Sequence, residues 1–339
     1  MFISILYILL GFVLLVKGGD FLIDGAVAIA RRAKLSNMVI GLTVVGFGTS
    51  MPELLVSTQA AIVGSSGIAI GNVAGSNIAN VALILGVTAL ISPIPSGRQM
   101  LRIDMPFMIL SMGFFILAAS TATVDRWMGI IMVLLLVWYV SWEVRKSRRE
   151  EKAAQAAQAS AADTAEATET AAPVMPLWRA LLLVVVSLAA MVWGADRLID
   201  GASTIAMTLG EYFGMGKEEM ERIIGLTVVA VGTSLPELFA SVMAARKGET
   251  DMAVGNIIGS VTFNILCVVG VASTITPIHN AWTPFVLDYG MMLFLGLLLW
   301  LFLRTRHLLE RWEGGVLLTI YILYVLQTVV PMQQWLHAL

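Results

Sequence analysis

GLTVVGFGTSMPELLVS at residues 41–57 returns almost unchanged as GLTVVAVGTSLPELFAS at residues 225–241. Each copy lies in an apolar run long enough for a helix, and each places a proline directly before a glutamate, Glu53 or Glu237. Ionisable groups inside apolar spans are costly and usually mark the path of an ion or a substrate. Two copies indicate two halves of the chain that share one central site.

The composition around these copies is that of a membrane protein. Of the 339 residues, 58% are hydrophobic and 13% are charged, and the mean hydropathy is +0.86. Soluble domains carry about 25% charged residues, and here apolar runs of about 20 residues recur along nearly the whole chain. The sequence therefore predicts an all-α protein that crosses the lipid bilayer many times. Its single cysteine, Cys267, excludes an intrachain disulfide.

A polar, alanine-rich segment divides the hydrophobic spans into two sets of five. We expect a first five-helix repeat at 1–145, a polar linker at 146–176 and a second five-helix repeat at 177–339. The predicted spans are 3–30, 38–63, 67–91, 102–121 and 126–144 in the first half, and 177–208, 223–245, 252–275, 284–303 and 313–332 in the second.

The alignment of the halves and their odd number of spans lead to an expected topology. Glu237 follows Glu53 by 184 positions, and Asn264 follows Asn80 by the same 184. Because five is odd, the second half must enter the membrane from the opposite side, which makes an inverted repeat. The loops on one side hold 16 lysine and arginine residues and those on the other hold 3. This bias places the basic loops and the linker in the cytoplasm and both termini outside.

Each copied element combines hydroxyl groups, a carboxylate and a proline on one helix. Thr49 lies four residues before Glu53 and Ser50 lies three before it, so their side chains share a face. Pro52 lacks an amide hydrogen and crowds the carbonyl group of Gly48, so we expect a kink that frees backbone oxygen. Free carbonyl groups at membrane depth are tolerated where they line a cavity or meet an ion. The second half repeats the arrangement with Thr233, Ser234, Pro236 and Glu237.

The span after each element carries a second duplicated motif, Gly-Asn-x-x-Gly-Ser, at 71–76 and 255–260. Small residues at this spacing bring membrane helices together, so the glycines are interpreted as packing positions. The serines and asparagines recur in register with the glutamates and are interpreted as ion ligands: Ser76, Asn80, Ser260 and Asn264. All of these ligands are oxygen atoms, which suit hard cations such as Ca²⁺ and Na⁺ and disfavour copper, zinc and iron.

The paired elements GTSMPE and GTSLPE, each followed by Gly-Asn-x-x-Gly-Ser, resemble the α-repeats of the sodium/calcium exchangers, in the cation/calcium antiporter superfamily. The resemblance is to the prokaryotic type and covers both halves. It implies ten helices, alternating access, and an ion site formed by spans 2, 3, 7 and 8. The site residues that it implies are Thr49, Ser50, Glu53, Ser76, Asn80, Thr233, Ser234, Glu237, Ser260 and Asn264, with backbone carbonyl groups at Gly46 and Ala230.

Two positions depart from the family pattern. Some relatives have an aspartate where this chain has Asn264, so the site has two carboxylates and the potassium-dependent branch is disfavoured. Val261 stands where the first half has Asn77, so the halves are not equivalent there. The proton/calcium branch of the superfamily uses Gly-Asn-x-x-Glu in place of Thr-Ser-x-Pro-Glu, which disfavours that branch as well.

These observations predict a secondary antiporter, not an enzyme, that exchanges Na⁺ for Ca²⁺ by alternating access and moves net charge. An antiporter of the same fold that couples protons or moves another divalent cation is the alternative. From another class, an intramembrane hydrolase has little support, because no span pairs a nucleophilic serine with a histidine and no His-Glu-x-x-His occurs. We expect no cofactor besides the transported Ca²⁺ and Na⁺, and no nucleic-acid partner. No protein partner is inferred, and we expect a bacterial inner membrane location.

Overall fold

The structure, a computed structural model, describes residues 2–121, 123–162, 175–212, 230–279 and 285–329. Its helices are α1 (Phe2–Ala33), α2 (Asn37–Thr49), α3 (Met51–Ile62), α4 (Ser66–Ile91), α5 (Met100–Ser120), α6 (Arg126–Ala162), α7 (Leu177–Tyr212), α8 (Leu235–Arg246), α9 (Thr250–Ile275), α10 (Val286–Arg306) and α11 (Arg311–Val329). Within the described residues, seven helices are long and apolar enough to cross a membrane, and the bent pair α2–α3 makes up to eight. The protein is therefore a predominantly helical membrane protein, as the composition predicts.

Around the duplicated motifs, the helices of the two halves match in length and in local irregularity. Helices α3 and α8 each contain 12 residues. Helix α4 contains a π-helical turn at Ala79–Ile84, and α9 contains one at Asn264–Val269. Each π-helical turn begins at or beside an asparagine predicted as a ligand, and such turns often occur at functional sites.

Helix α9 lies at the centre of the molecule, against α2. Every residue from Met252 to Phe263 is buried. A Cβ atom added at Gly259 would lie 2.3 Å from the carbonyl oxygen of Leu42, so the two backbones can approach this closely only because glycine occupies the position. The contact brings the polar residues of α9 beside those of α2.

Helices α1 and α7 pack antiparallel along their length at one side of the molecule. Gly11 lies against Gly194 near one end of the pair, and Gly25 lies against Val184 near the other. The outer faces of both helices carry exposed apolar side chains such as Leu9 and Val185. An exposed apolar surface on a membrane protein is the surface that faces the acyl chains of lipids.

In the part of the chain that the structure describes, four short strands, which the sequence analysis does not predict, join the halves. They are β1 (Ile94–Pro95), β2 (Thr123–Val124), β3 (Ile278–His279) and β4 (Leu308–Leu309). Strand β1 pairs antiparallel with β4, and β2 pairs antiparallel with β3. Each pair therefore connects a loop of one half to a loop of the other, and the two pairs occupy corresponding positions in the sequence.

The structure describes the first part of the segment predicted as the linker. Helix α6 continues to Ala162, so residues 146–162 of the segment predicted as linker extend the last helix of the first half. The alanine, glutamate, lysine and glutamine residues of this stretch are strong helix formers. Residues 163–174 lie outside the described part of the chain.

Candidate functional site

The central site begins at the break between α2 and α3. The two helices bend by 46° at Ser50, and Pro52 lies in the first turn of α3. The amide of Ser50 still donates to the carbonyl oxygen of Gly46 at 3.1 Å, but Pro52 has no amide hydrogen with which to continue the ladder. Glu53 is thereby set in the first turn of α3, where the partial positive charge of a helix start favours a carboxylate.

The second half builds the same break before α8. A short helical turn, Ala230–Gly232, ends just before Ser234, whose carbonyl oxygen accepts from the amide of Leu238 at 3.0 Å. Pro236 and Glu237 lie in the first turn of α8. Both glutamates therefore start a helix directly after a break, as the proline in each copied element predicts.

An asparagine fixes each glutamate from the neighbouring helix. In both halves its Nδ2 donates to the backbone carbonyl oxygen of the glutamate at 3.3 Å and to the hydroxyl group of the serine four residues later at 2.9 Å. The two sets are Asn72 with Glu53 and Ser57, and Asn256 with Glu237 and Ser241. Our list of predicted ligands omits both asparagines. Their position inside the Gly-Asn-x-x-Gly-Ser motif is the signal that identifies them.

Side chains from the two halves meet at Thr49. Its hydroxyl group donates to Asn256 Oδ1 at 3.3 Å and lies 3.3 Å from Ser260 Oγ. Ser260 Oγ in turn donates to the carbonyl oxygen of Gly46 at 3.4 Å. The first half thus supplies a hydroxyl and a backbone carbonyl, and the second supplies a hydroxyl and an amide, to one cluster of oxygen atoms.

The two glutamates lie at the centre of this cluster and are fully buried. Glu53 Oε1 accepts from Ser76 Oγ at 3.4 Å. The hydroxyl groups of Thr49 and Ser50 and the carboxylate of Glu53 lie close enough to Glu237 to interact electrostatically with its carboxylate. Within the described residues, several buried polar atoms of the site have no hydrogen-bond partner: Glu53 Oε2, Glu237 Oε1, Glu237 Oε2, Ser50 Oγ, Ser234 Oγ, Asn80 Oδ1, Asn80 Nδ2 and Asn264 Oδ1.

The halves differ at one pair of positions beside the glutamates. Asn264 Nδ2 donates to Asn77 Oδ1 at 3.2 Å, and Asn77 Nδ2 contacts Met292 Sδ at 3.6 Å. Val261, the counterpart of Asn77, is buried in the hydrophobic core instead. Asn264 is therefore oriented by the first half through its Nδ2, and its Oδ1 has no partner among the described residues. Neither polar side-chain atom of Asn80 has a partner in that part of the chain.

Of the remaining predicted ligands, Gly46 joins this cluster through its backbone. The Gly46 carbonyl oxygen accepts from Ser260 and from the hydroxyl group of Thr49, the latter at 3.4 Å. Ala230 begins the helical turn that precedes Thr233, and Thr233 has interactions of its own within the structure. The cited contacts thus bring together Gly46, Thr49, Ser50, Glu53, Ser76, Glu237 and Ser260, and they place Asn264 and Asn80 in the π-helical turns of the adjoining helices.

A buried pair of carboxylates with unpartnered oxygen atoms is unfavourable unless positive charge balances it. The atoms around the pair are hydroxyl, amide and carbonyl oxygens, which are ligands for hard cations. The arrangement can therefore surround a desolvated Ca²⁺ or Na⁺ ion with oxygen atoms drawn from both halves of the chain.

Comparison with known proteins agrees with this site chemistry. Sodium/calcium exchanger MaX1 of Methanosarcina acetivorans is 37% identical over 352 aligned residues, covering 95% of this chain and 97% of MaX1. Inner membrane protein YrbG of Escherichia coli strain K12 is 32% identical, with 94% of each chain covered. A solved structure of the sodium-calcium exchanger NCX_Mj, soaked with Na⁺ and Sr²⁺, superposes with a TM-score of 0.78 at 31% identity, covering 96% of this chain and 98% of that one.

The family model described as sodium/calcium exchanger protein matches two segments, residues 3–144 and 179–330. The gap between them contains the polar segment of the sequence. The matched segments hold both copies of the Thr-Ser-x-Pro-Glu element and both Gly-Asn-x-x-Gly-Ser motifs. The chain belongs to the sodium/calcium exchanger family.

Proposed function

We propose that the protein is a secondary antiporter that exchanges Na⁺ for Ca²⁺ at one central site. The observation that carries the proposal is the fully buried pair Glu53 and Glu237. Within the described residues, three of their four carboxylate oxygens have no hydrogen-bond partner, and neither do polar side-chain atoms of Ser50, Asn80, Ser234 and Asn264. The ligands are those named from the sequence: Gly46, Thr49, Ser50, Glu53, Ser76, Asn80, Ala230, Thr233, Ser234, Glu237, Ser260 and Asn264. The names of MaX1 and NCX_Mj, both sodium/calcium exchangers, support the same ion pair.

The proposed architecture is ten spans in two inverted repeats, at 1–145 and 177–339, joined by a linker at 146–176. Three observations support it. Helices α1 and α7 occupy equivalent places in the two halves and run antiparallel. When the residues of one half are matched to those of the other, the strand pair β1–β4 corresponds to the strand pair β3–β2. The glutamate–asparagine–serine contacts repeat with equal distances.

The proposed orientation has the linker in the cytoplasm and both termini outside. It rests on the excess of basic residues in the loops on the linker side. The proposed location is a bacterial inner membrane, which the name of the relative YrbG supports. Cysteines introduced at Ser160 and Ala338, in a Cys267→Ala background, test the orientation. An impermeant maleimide should label them from opposite sides of the membrane, and labelling of both from one side contradicts it.

The proposed exchange moves net charge. Two glutamates give the site a charge of −2, which one Ca²⁺ balances. Three Na⁺, the number that the family resemblance implies, bring the loaded site to +1, so one positive charge accompanies the Na⁺ direction. That charge is worth about 2.3 kcal/mol per 100 mV of membrane potential. Vesicles loaded with Na⁺ should therefore take up Ca²⁺ faster when their interior is made positive.

Uptake of ⁴⁵Ca²⁺ into proteoliposomes tests the function. Na⁺-loaded vesicles should accumulate Ca²⁺, and K⁺-loaded vesicles should not. A proton gradient imposed without Na⁺ should drive no uptake, and uptake under that gradient instead favours a proton-coupled antiporter. A K⁺ gradient with valinomycin sets the voltage, and a Ca²⁺ rate that ignores it shows that the coupling is electroneutral.

A further inference from the structure

A basic cavity lies where the two halves meet, between the start of α5 and the end of α10. Its volume is about 550 Å³, and cavities of about 300–1,000 Å³ are typical of sites for small molecules. Two arginines from the first half line it, together with an arginine and a histidine from the second: Arg98, Arg102, Arg304 and His307. None of these residues belongs to the predicted ion site, so the cavity is a separate feature of the molecule.

Hydrogen bonds between the halves hold the backbone around the cavity. The amide of Ser96 donates to the carbonyl oxygen of His307 at 2.8 Å, and the hydroxyl group of Ser96 donates to the carbonyl oxygen of Leu303 at 2.9 Å. Trp300 Nε1 donates to the carbonyl oxygen of Leu101 at 3.0 Å. Together with the strand pair β1–β4, these bonds fix the end of α10 against the start of α5. The basic side chains are therefore brought together by the fold.

Two irregular stretches of backbone border the cavity. Helix α5 begins with a π-helical turn at Met100–Asp104, which includes Arg102. His307 ends α10 with a φ of 55°, a left-handed conformation that glycine or asparagine usually takes at the end of a helix. Both kinds of irregularity occur often where proteins bind ligands, which supports a binding role for the cavity between them.

The positive charge of the cavity is not balanced by the described part of the chain. None of the three arginines forms an ion pair with a described residue, and no described acidic side chain lines the cavity. Arg304 lies over the ring of Trp300, 5.6 Å from its centroid, whereas the nearby Arg306 pairs with Glu310 at 2.7 Å. Three like charges thus meet in one place, where they repel one another unless an anion joins them.

We propose that this cavity is a binding site for a phosphate group, supplied by an anionic phospholipid of the adjoining leaflet. Guanidinium groups present paired N–H donors that match the oxygen atoms of a phosphate. Basic cavities between membrane helices at the cytoplasmic side are places where anionic lipid head groups bind. The assignment to the cytoplasmic leaflet rests on the proposed orientation, and the binding does not depend on which ions the protein exchanges.

The helices that flank the cavity carry apolar surface for the acyl chains of such a lipid. Leu110 on α5 and Leu297 and Leu301 on α10 are exposed, and exposed apolar side chains on membrane helices face acyl chains. Trp300 lies one turn before Arg304, and its ring is of the kind that concentrates where the membrane meets water. A phosphate held by the arginines would therefore lie at head-group depth, with its acyl chains along α5 and α10.

The opposite half repeats the fold around the cavity without its charge. The positions 184 residues away from the three arginines are Trp282, Val286 and Ser120. Val286 begins α10 and Ser120 ends α5, and the strand pair β2–β3 takes the place of β1–β4 there. The fold therefore does not need the arginines. Basic loops also set the orientation of a membrane protein, but that role does not require two loops to bring their arginines into one cavity.

The test titrates the purified protein in detergent with palmitoyl-oleoyl-phosphatidylglycerol and counts the bound lipids by native mass spectrometry. The double variant Arg98→Gln with Arg102→Gln removes two charges and leaves Arg304 over Trp300. A basic side chain near an anionic membrane surface typically contributes about fivefold in binding. The affinity for the first bound lipid should therefore fall at least about tenfold in this variant. The same lipid should raise the melting temperature of the wild type more than that of the variant.

A matched control and three further ligands identify what is bound. Arg31→Gln with Arg32→Gln removes the same charge from the end of α1, outside the cavity lining, and should bind the lipid as the wild type does. Phosphatidylcholine, whose choline group neutralises its phosphate, should not distinguish the wild type from the cavity variant. Inorganic phosphate and glycerol phosphate, at the concentration of the added lipid, should leave the melting temperature of the wild type unchanged.

Three results overturn the proposal. The first is equal lipid affinity in the wild type and in the cavity variant. The second is an equal loss in the control variant, because overall charge and not the cavity then attracts the lipid. The third is stabilisation by the soluble phosphates without any by phosphatidylglycerol, which excludes a lipid as the source. If the first variant fails to fold, Arg102→Gln with Arg304→Gln removes one charge from each half and should show the same loss. Absence of Na⁺/Ca²⁺ exchange would leave these binding results unchanged.

Discussion

The two halves of the chain agree closely at the centre of the molecule and differ toward its faces. At the centre, the asparagine that holds each glutamate makes the same two hydrogen bonds at the same distances. Toward the faces, Asp104 is buried, whereas its counterpart Asp288 is half-buried. In the proposed site both halves supply ligands, so their central geometry must match. In the proposed inverted topology the corresponding outer ends of the two halves face opposite sides of the membrane, so these ends are free to diverge.

The agreement at the centre predicts equal loss from either glutamate. Glu53→Gln and Glu237→Gln should each abolish exchange while the protein still inserts into the membrane. Each change removes half of the negative charge that balances Ca²⁺, and losing one partner of a buried charge pair costs about 3–5 kcal/mol. That corresponds to a loss of about a hundredfold or more in Ca²⁺ affinity. Uptake of ⁴⁵Ca²⁺ measures the effect, and normal Na⁺-driven uptake by one variant alone would show that the halves are unequal.

The repeated amide contacts predict a smaller, matched effect. Asn72→Leu and Asn256→Leu keep the side-chain volume and remove the donor that holds the backbone of the adjacent glutamate. Residues that position metal ligands typically contribute about 10–100-fold in metal affinity. Both variants should lower the apparent Ca²⁺ affinity by at least about tenfold with little loss of folded protein. An effect confined to one of them breaks the equivalence of the two halves.

Asn264→Asp sharpens the difference between the halves at the site itself. The change places a third carboxyl group among two others, and like charges in contact favour protonation. We expect exchange that becomes more sensitive to pH or less selective for Na⁺, with folding intact because Asn77 still contacts the side chain. The rate is measured against pH with Na⁺, K⁺ or Li⁺ as the counter-ion. A profile identical to that of the wild type places Asn264 outside the ion site.

The smallest expected effect concerns a contact that only one half contains. Lys247 Nζ lies 2.8 Å from Asp24 Oδ1 and donates to the carbonyl oxygen of Asp20 at 2.6 Å, whereas the counterpart of Lys247 is Val63. The ion pair is partly exposed, and such pairs are worth about 0–1 kcal/mol. Lys247→Met should therefore change the exchange rate by less than about fivefold. Complete loss of exchange would reveal a structural role that exposure does not suggest.

The sequence alone predicts the class of fold and the identity of the central residues because membrane chemistry is restrictive. An apolar run long enough to span the membrane must form a helix, and a proline inside it must interrupt the backbone hydrogen bonds of that helix. Pro52 does so, and the helix bends at Ser50. A glutamate repeated at that break then has few explanations besides an ion path. These inferences need only local spacing, and the bend is confirmed. The family membership is inferred from the resemblance of the duplicated motifs, and it is confirmed as well.

Contacts that depend on how helices pack could not be predicted from spacing. The hydrogen bond from Asn264 to Asn77 joins residues 187 positions apart, and the bond from Tyr139 to Asp104 joins different helices through ordinary-looking side chains. The strands β1 to β4 are two residues each and carry no alternating pattern. The extension of α6 to Ala162 was missed because the alanine-rich stretch lacks an apolar stripe, although its residues favour a helix.

Ca²⁺ binding stoichiometry tests most directly the central claim that two matching halves build one site. Equilibrium binding of ⁴⁵Ca²⁺ to the purified protein in Na⁺-free buffer should give one ion per chain, displaced completely by Na⁺. Glu53→Gln and Glu237→Gln should each lower this to none at the same Ca²⁺ concentration. Two ions per chain in the wild type, or one ion remaining in each variant, would show that each half holds its own site and would contradict the account.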